Sequence, residues 1–238
     1  MINTVVIIPT LNEEKNIKIL IQKIFKIQKN IDIFFIDDGS TDNTQKIIKN
    51  ERKKNKKISF KFRKNKSGVG SAHKAALKIC YKKNYKYIFT MDADGTHDPK
   101  ALIKMIRLQK KTKGDLVNTT RFLLKNSISD WPLTRKIMTN TRHILVKFFL
   151  GMKYDASGAF RLYVKSNIKL ADILKAKDDR YAFFWESLFV LHLKNYKIVE
   201  IPIELPYRTN GASKMRIKDI FTSLYYLIKI SLRGKSEI

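Results

Sequence analysis

Short apolar runs and helical periods alternate along the first half of the chain. TVVIIPT (4–10) predicts a strand, after which Ile17, Leu20, Ile21, Ile24 and Ile27 recur on one face of a helix. Thr10-Leu11-Asn12-Glu13 has the spacing of a capping box at the start of that helix. IDIFFID (31–37), ISFKF (58–62), YKYIFTMD (85–92) and GDLVNTTR (114–121) predict four more strands. Helices are expected between them: one from DGSTDNT to about Lys54, one opening on the glycines of KSGVGSAHKAALKICYKK, and one over DPKALIKMIRLQKK with Pro99 in its first turn. This rhythm specifies an α/β fold, with a mainly parallel central sheet, helices on both faces and ligands at the carboxyl ends of the strands. The second half is less regular. It reads as a helical stretch over 131–150, a short segment DASGAFRLY, a helix near 184–194, a strand IVEIPIEL, a loop PYRTNGASK and a final helix. No repeat or linker interrupts it, so we expect one domain over 1–215 and a C-terminal amphipathic helix over 216–238.

The polar residues that stand out fall where the expected strands end. DDGSTDNT (37–44) is either a polar turn or a carboxylate site for a base or ribose, with Asp37 at the strand tip. SGVGSA (67–72) lacks both the dinucleotide and the P-loop glycine patterns. Its glycines, Gly70 among them, either free helix N–H groups for an anion or allow a close approach of helix and sheet. In MDADGTHDP (91–99), Asp92 and Asp94 would share one face of an extended chain and repel each other. A divalent ion offsets that repulsion, and oxygen donors favour Mg²⁺ or Mn²⁺ over zinc. His97, nearby, either ligates that ion or supports the site, and the histidines show no zinc spacing. Arg121, Arg135, Arg161, Arg208 and Lys214 are either phosphate-binding groups or ordinary surface charges.

Composition adds a constraint on partners. Lys and Arg number 49 against 21 Asp and Glu, for a formal charge of +28, so nucleic acid, nucleotide phosphate and acidic lipid are the candidate partners. No nucleic-acid recognition module or aromatic-interleaved basic stripe is present, which leaves only generic salt-sensitive binding to nucleic acid. The single cysteine, Cys80, excludes a disulfide framework and fits a reducing, cytoplasmic setting. MINTVVIIPT enters a strand at once, so no signal peptide is expected. No uncharged run approaches the ~18–20 residues that span a bilayer, so membrane contact is expected to be peripheral. The terminal helix, with Ile217, Ile220, Phe221, Leu224, Leu227 and Ile228 at helical spacing among basic residues, either packs on the domain or lies in a membrane surface.

Taken in order, IIPTLNEEKNI (7–17), DDGSTDNT (37–44), SGVGSA (67–72), MDADGTHDP (91–99), TTRF (119–122), Trp131 and Arg135 as W-x3-R, DASGAFRLY (155–163), Glu186 and PYRTNGASK (206–214) resemble the family-2 glycosyltransferases. The narrower resemblance is to dolichyl- or polyprenyl-phosphate mannose or glucose synthases. It implies a Rossmann-like nucleotide-diphospho-sugar transferase fold, GT-A, and inverting transfer of a hexose from a donor of the GDP-mannose or UDP-glucose type to a polyprenyl phosphate at the cytoplasmic face of a membrane. By position it implies that Pro9, Asn12, Glu13 and Asp37 line the nucleoside pocket, and that Asp92 and Asp94 hold the metal, Mg²⁺ or Mn²⁺, and the diphosphate. Arg121, Arg208 and Lys214 would surround the diphosphate and the acceptor phosphate, with Asp94, Arg121 and Arg208 closest to the chemistry. Ser157, Arg161 and Glu186 fall in acceptor-side motifs. Gly95-Thr96 and Leu123 to Asn126 depart from the family pattern, at the third metal position and in the acceptor loop. A partner membrane subunit is compatible with this reading, and a soluble carbohydrate or protein acceptor is its alternative. A phosphate monoester is already largely dianionic at neutral pH and needs no general base, whereas a hydroxyl acceptor does.

Overall fold

The structure is a computed structural model that describes residues 3–207 and 224–231. Its elements run β1 (Thr4–Thr10), α1 (Glu14–Ile27), β2 (Asp32–Asp37), α2 (Thr44–Lys54), β3 (Ile58–Phe62), α3 (Val69–Tyr81), β4 (Tyr87–Thr90), α4 (Lys100–Thr112), β5 (Leu116–Thr120), α5 (Leu133–Leu150), β6 (Arg161–Val164), α6 (Leu170–Leu174), α7 (Ala182–Leu193) and β7 (Ile198–Pro202). A further helix covers 224–231.

The strands form one sheet in the order β3-β2-β1-β4-β6-β5-β7. Four of its six pairings are parallel. Apolar side chains alternate through it: Val5 and Ile7 enter the core under α3 and α7, while Val6 and Ile8 enter the core under α1 and α4. Both faces are thus covered, which is why these strands read as continuous apolar runs. The chain builds outward from β1 to β2 and β3, then returns to place β4 on the other side of β1. That reversal opens a crevice beyond the carboxyl ends of β1 and β4, where an α/β sheet binds ligands.

Three expectations change. DASGAFRLY contains β6, which lies antiparallel between β4 and β5, with Thr90 and Asn118 both opposite Arg161. Four residues are too few to display a period of two. The strand expected over 85–92 stops at Thr90, so Asp92 and Asp94 stand on the turn beyond it and not on one strand face. The capping box does not form, because Thr10 is still in β1 and its hydroxyl donates to Asp37 at 2.9 Å. The first amides of α1 are met from the start of α2 instead: Glu13 N–H donates to Thr44 Oγ1 at 2.8 Å and Glu14 N–H to an Asp42 oxygen at 3.2 Å.

Helix α7 is apolar on all sides and buried, and it anchors one core. Cys80 is buried in that core, where burial pushes its thiol up to about 12, so it is a packing residue. Leu227 of the 224–231 helix is buried against the same core, while Leu224, Tyr225 and Ile228 are exposed. The rest of the terminal helix expected over 216–238 lies outside the described residues. Among the described residues, no helix is long and apolar enough to cross a membrane.

Candidate active site

A cavity of about 850 Å³ opens over the carboxyl ends of β1, β4 and β5. Its volume is within the range of small-molecule sites, roughly 300–1,000 Å³. Pro9, Glu13, Asp92, Asp94, Arg121, Arg135 and Ser157 all line it. Sequence positions spread over most of the chain are brought together here because each follows a strand end or faces one.

Asp37 and Asn12 do not line the cavity. Asp37 is fully buried and accepts hydrogen bonds from Thr10 Oγ1 at 2.9 Å, the Ser40 amide at 2.9 Å, Gln45 Nε2 at 2.6 Å and the Ser40 hydroxyl. Its oxygens are thereby committed to the turn. Asn12 adopts a left-handed φ of 53° and ties the two loops together, its side-chain oxygen accepting from Thr41 N–H at 2.8 Å and its own N–H donating to Ser40 Oγ at 2.8 Å. The neighbouring Asp38 is the carboxylate that reaches the cavity. It pairs with Arg63 at 3.0 Å and accepts from Gly68 N–H at 2.9 Å, so it also pins the start of α3. Gly70 is a packing position: an added Cβ would meet Phe183 Cβ at 2.6 Å and the Arg180 carbonyl oxygen at 2.7 Å. It lets α3 approach the 179–183 segment and presents nothing to the cavity.

After β4 the chain turns through Gly95, whose φ of 79° favours glycine. The turn sends Asp94 inward, where one of its oxygens accepts from Thr96 N–H at 3.1 Å and Thr96 Oγ1 at 2.7 Å. Asp92 stays half-exposed. His97 Nδ1 accepts the Asp92 amide at 3.0 Å, which places the ring proton on Nε2, 4.0 Å from an Asp92 carboxylate oxygen. With Nδ1 engaged by the Asp92 amide, His97 orients that residue. Among the described residues no cluster of three or more His, Cys, Asp or Glu side chains is arranged around a metal position. The donor set is two carboxylates and a neighbouring hydroxyl. It fits a hard divalent cation that completes its shell with phosphate oxygens and water.

The opposite wall is cationic. Arg121, just past β5, is buried and grips Asp155 with Nε at 2.8 Å and Nη2 at 2.6 Å, while its own amide donates to the same carboxylate at 3.0 Å. Nη2 also donates to Ser157 Oγ. Burial alone would push the Asp155 carboxyl up, but Arg121 more than offsets this and holds it well below the usual carboxylate range. Asp155 is itself fixed from behind, its amide donating to Glu200 at 2.7 Å and its carbonyl accepting from Asn118 Nδ2 at 2.9 Å. Arg135, on α5, stacks its guanidinium 3.9 Å from the centre of the Trp131 ring, which donates from Nε1 to the Leu205 carbonyl at 2.9 Å. Arg142, seven residues or about two turns further along α5, also lines the cavity.

Two acceptor-side candidates sit behind this wall. Arg161 is buried and donates to the Phe184 carbonyl at 2.6 Å, the Ala156 carbonyl at 3.3 Å and Ser187 Oγ at 3.1 Å, joining the 155–160 loop to α7. Glu186 is buried within α7 and accepts the Asp178 amide at 2.9 Å, and burial pushes its carboxyl up. It steadies the segment that carries Arg180 and Tyr181 to the cavity. Both are internal struts. Arg208 and Lys214 lie outside the described residues. Asp38, Asp155 and Arg142 are cavity residues that the strand-end reading did not select. Asp155 had a signal in DASG, a turn-forming stretch, whereas Arg142 is unmarked within a helix.

The family model for glycosyl transferase family 2 matches residues 5–169. The polyprenol monophosphomannose synthase of Mycolicibacterium smegmatis is 25% identical over 236 residues, covering 98% of this chain and 89% of that protein. The undecaprenyl-phosphate mannosyltransferase of Micrococcus luteus is 26% identical over 210 residues, covering 88% and 86%. In fold, the chain resembles glucosyl-3-phosphoglycerate synthase from Mycobacterium tuberculosis, solved with Mn²⁺, UDP-glucose and glycerol 3-phosphate, at a TM-score of 0.64 and 15% identity over 97% of this chain and 78% of that one. With a cavity at the crevice, an acidic pair on one side and an arginine wall on the other, the chain belongs to glycosyl transferase family 2 and is a glycosyltransferase with the GT-A fold.

Proposed function

We propose that the protein transfers a hexose, mannose by analogy with the two curated relatives, from a nucleotide-diphosphate sugar to a polyprenyl phosphate with inversion at C1. The observation that carries this reading is the chemistry of the second-half wall. Among the described cavity-lining residues from Thr119 onward, Asp155 is the sole carboxylate, and Arg121 occupies both of its oxygens. Among the described residues that wall presents arginines and no free carboxylate. A phosphate monoester suits it, since one of its oxygens attacks C1 without first losing a proton.

Pro9 and Glu13 border the nucleoside end of the cavity, and Asp92 and Asp94 are the residues that would hold a divalent cation. When bound, such an ion neutralises charge on the nucleoside diphosphate as it leaves. Arg121 and Arg135 hold the acceptor phosphate in line with C1, where the new O–C1 bond forms as the bond to the diphosphate breaks and the electron pair departs with the nucleoside diphosphate. Their contribution is positioning and electrostatic stabilisation of two anions that would otherwise repel.

Contact with a membrane surface is part of the proposal, and α5 supports it. Leu133, Ile137, Ile144 and Phe148 recur at helical spacing and are 71%, 56%, 63% and 81% exposed, on the helix that brings Arg135 and Arg142 to the cavity. Lys136 and Lys147 on the same helix favour an anionic bilayer. The Ile144→Glu/Phe148→Glu variant is expected to lose flotation with anionic liposomes while keeping donor binding; undiminished flotation would place the contact elsewhere.

The direct test incubates the protein with radiolabelled GDP-mannose or UDP-glucose, Mg²⁺ or Mn²⁺, and polyprenyl phosphate. Label is expected in the organic phase as a lipid-linked monosaccharide. Label transferred to a water-soluble acceptor with no requirement for the lipid would contradict the proposal.

A further inference from the structure

Helix α5 brings two arginines, Arg135 and Arg142, to the cavity wall that already holds Arg121. Arg142 is half-buried and lies close enough to Arg121, Arg135 and Asp155 to be influenced electrostatically by all three. It makes no hydrogen bond or ion pair with another described residue, unlike Arg121, which uses Nε and Nη2 on Asp155. Burial and repulsion from Arg121 and Arg135 outweigh the attraction of Asp155 and pull its guanidinium down to about 10. A cation is therefore held in partial burial, against two others, beside a carboxylate whose oxygens are already taken. The rotation of α5 that buries Thr139 and Val146 also turns position 142 inward, so the helix brings this arginine to the cavity without a partner among the described residues. The arrangement becomes favourable when an anion carrying more than one charge enters between the arginines.

Resting on the polyprenyl-phosphate reading above, we propose that Arg142 is a third phosphate-binding arginine of the acceptor site and selects a dianionic phosphate monoester over a singly charged phosphodiester. Arg121 and Ser157 approach the anion from the sheet, Arg135 from above the Trp131 ring, and Arg142 from the inner part of α5. With only two arginines, a single negative charge would balance much of the wall; the third makes the second charge of a monoester count. The residue touches substrate and takes no part in proton transfer, so its loss acts on acceptor binding first.

The test measures binding of a water-soluble short-chain isoprenyl monophosphate, and of its monomethyl ester, to the full chain by calorimetry, in wild type, Arg142→Gln and Arg142→Lys. Wild type is expected to prefer the monophosphate by at least about tenfold, and Arg142→Gln to lose most of that preference while Arg142→Lys keeps much of it. In turnover, Arg142→Gln is expected to raise the acceptor KM by about tenfold with the donor KM unchanged. Donor binding by the same preparation shows that the variant is folded. Wild-type preference retained in Arg142→Gln overturns the role of Arg142 alone, as does an equal loss of affinity for both ligands. Failure of wild type to bind either ligand overturns the phosphate-acceptor reading and this proposal with it.

Discussion

Replacing Asp155 by alanine leaves the buried Arg121 guanidinium without its carboxylate, in a wall that also carries Arg135 and Arg142. Three contacts go at once, at 2.6, 2.8 and 3.0 Å, the last to the Arg121 amide. Breaking one side of a buried ion pair costs about 3–5 kcal/mol, because the surviving charge stays desolvated. For a chain of 238 residues this corresponds to a fall in Tm of roughly 6–20 °C at ~2–4 °C per kcal/mol. The double variant Asp155→Ala/Arg121→Met removes the stranded charge and should recover part of that loss, about 2 kcal/mol. The effect also has a pH signature. The folded-state Asp155 carboxyl lies below its unfolded value, so its stabilisation is complete above the unfolded titration near ~3.9 and is lost as pH falls through the lower folded value. Thermal melts should therefore show a constant deficit for Asp155→Ala around neutral pH and a shrinking one in acid below ~4. A single variant that melts within about 2 °C of wild type, or a double variant less stable than the single by the full cost of losing Arg121, would mean that Asp155 does not compensate a buried Arg121 charge.

Asp94→Asn keeps the Thr96 hydrogen bonds feasible but removes a charge from the donor side, and transfer should fall by at least about 100-fold with Tm changed little, as read in the radiolabel assay and a melt. Gly70→Ala forces a methyl group to within 2.6 Å of Phe183 Cβ, so the melt should reveal a loss of about 1–3 kcal/mol while donor affinity changes little once the protein is folded. Glu186 has its folded pKa raised by burial, so its contribution to stability is present below the unfolded value and lost as pH rises through the folded one. Glu186→Gln should accordingly gain on wild type as pH is raised, and melts at mildly acidic and mildly alkaline pH that showed the opposite trend would contradict its assignment as a buried strut.

The parts of the fold that alternate strand and helix were legible because both faces of the sheet are buried and the runs are long. β6 and α6, at four and five residues, are too short to show a period, and β6 is recruited by its neighbours β4 and β5. Cavity-lining residues that follow a strand end, such as Asp92, Asp94 and Arg121, are legible from that topology. Choosing between Asp37 and Asp38 could not be done this way, since consecutive residues face opposite ways and the chain gives no sign of which one Thr10 and Gln45 will engage. Arg161 and Glu186 stand out in apolar stretches in the manner of functional charges, yet they are paired inside the molecule, a distinction that depends on partners distant in sequence. Arg142 is unmarked in the sequence for the converse reason: its place in the cavity depends on how α5 is rotated, and six exposed apolar residues on that helix blur the amphipathic pattern that sets the rotation.

Two acceptors of the same isoprenoid, one ending in phosphate and one in a hydroxyl, are to be compared with the same labelled donor and metal. If the arginine wall serves an acceptor that needs no base, label should pass to the phosphate and not detectably to the alcohol. Comparable transfer to the free alcohol would mean that the cavity contains a working base, and would contradict the account.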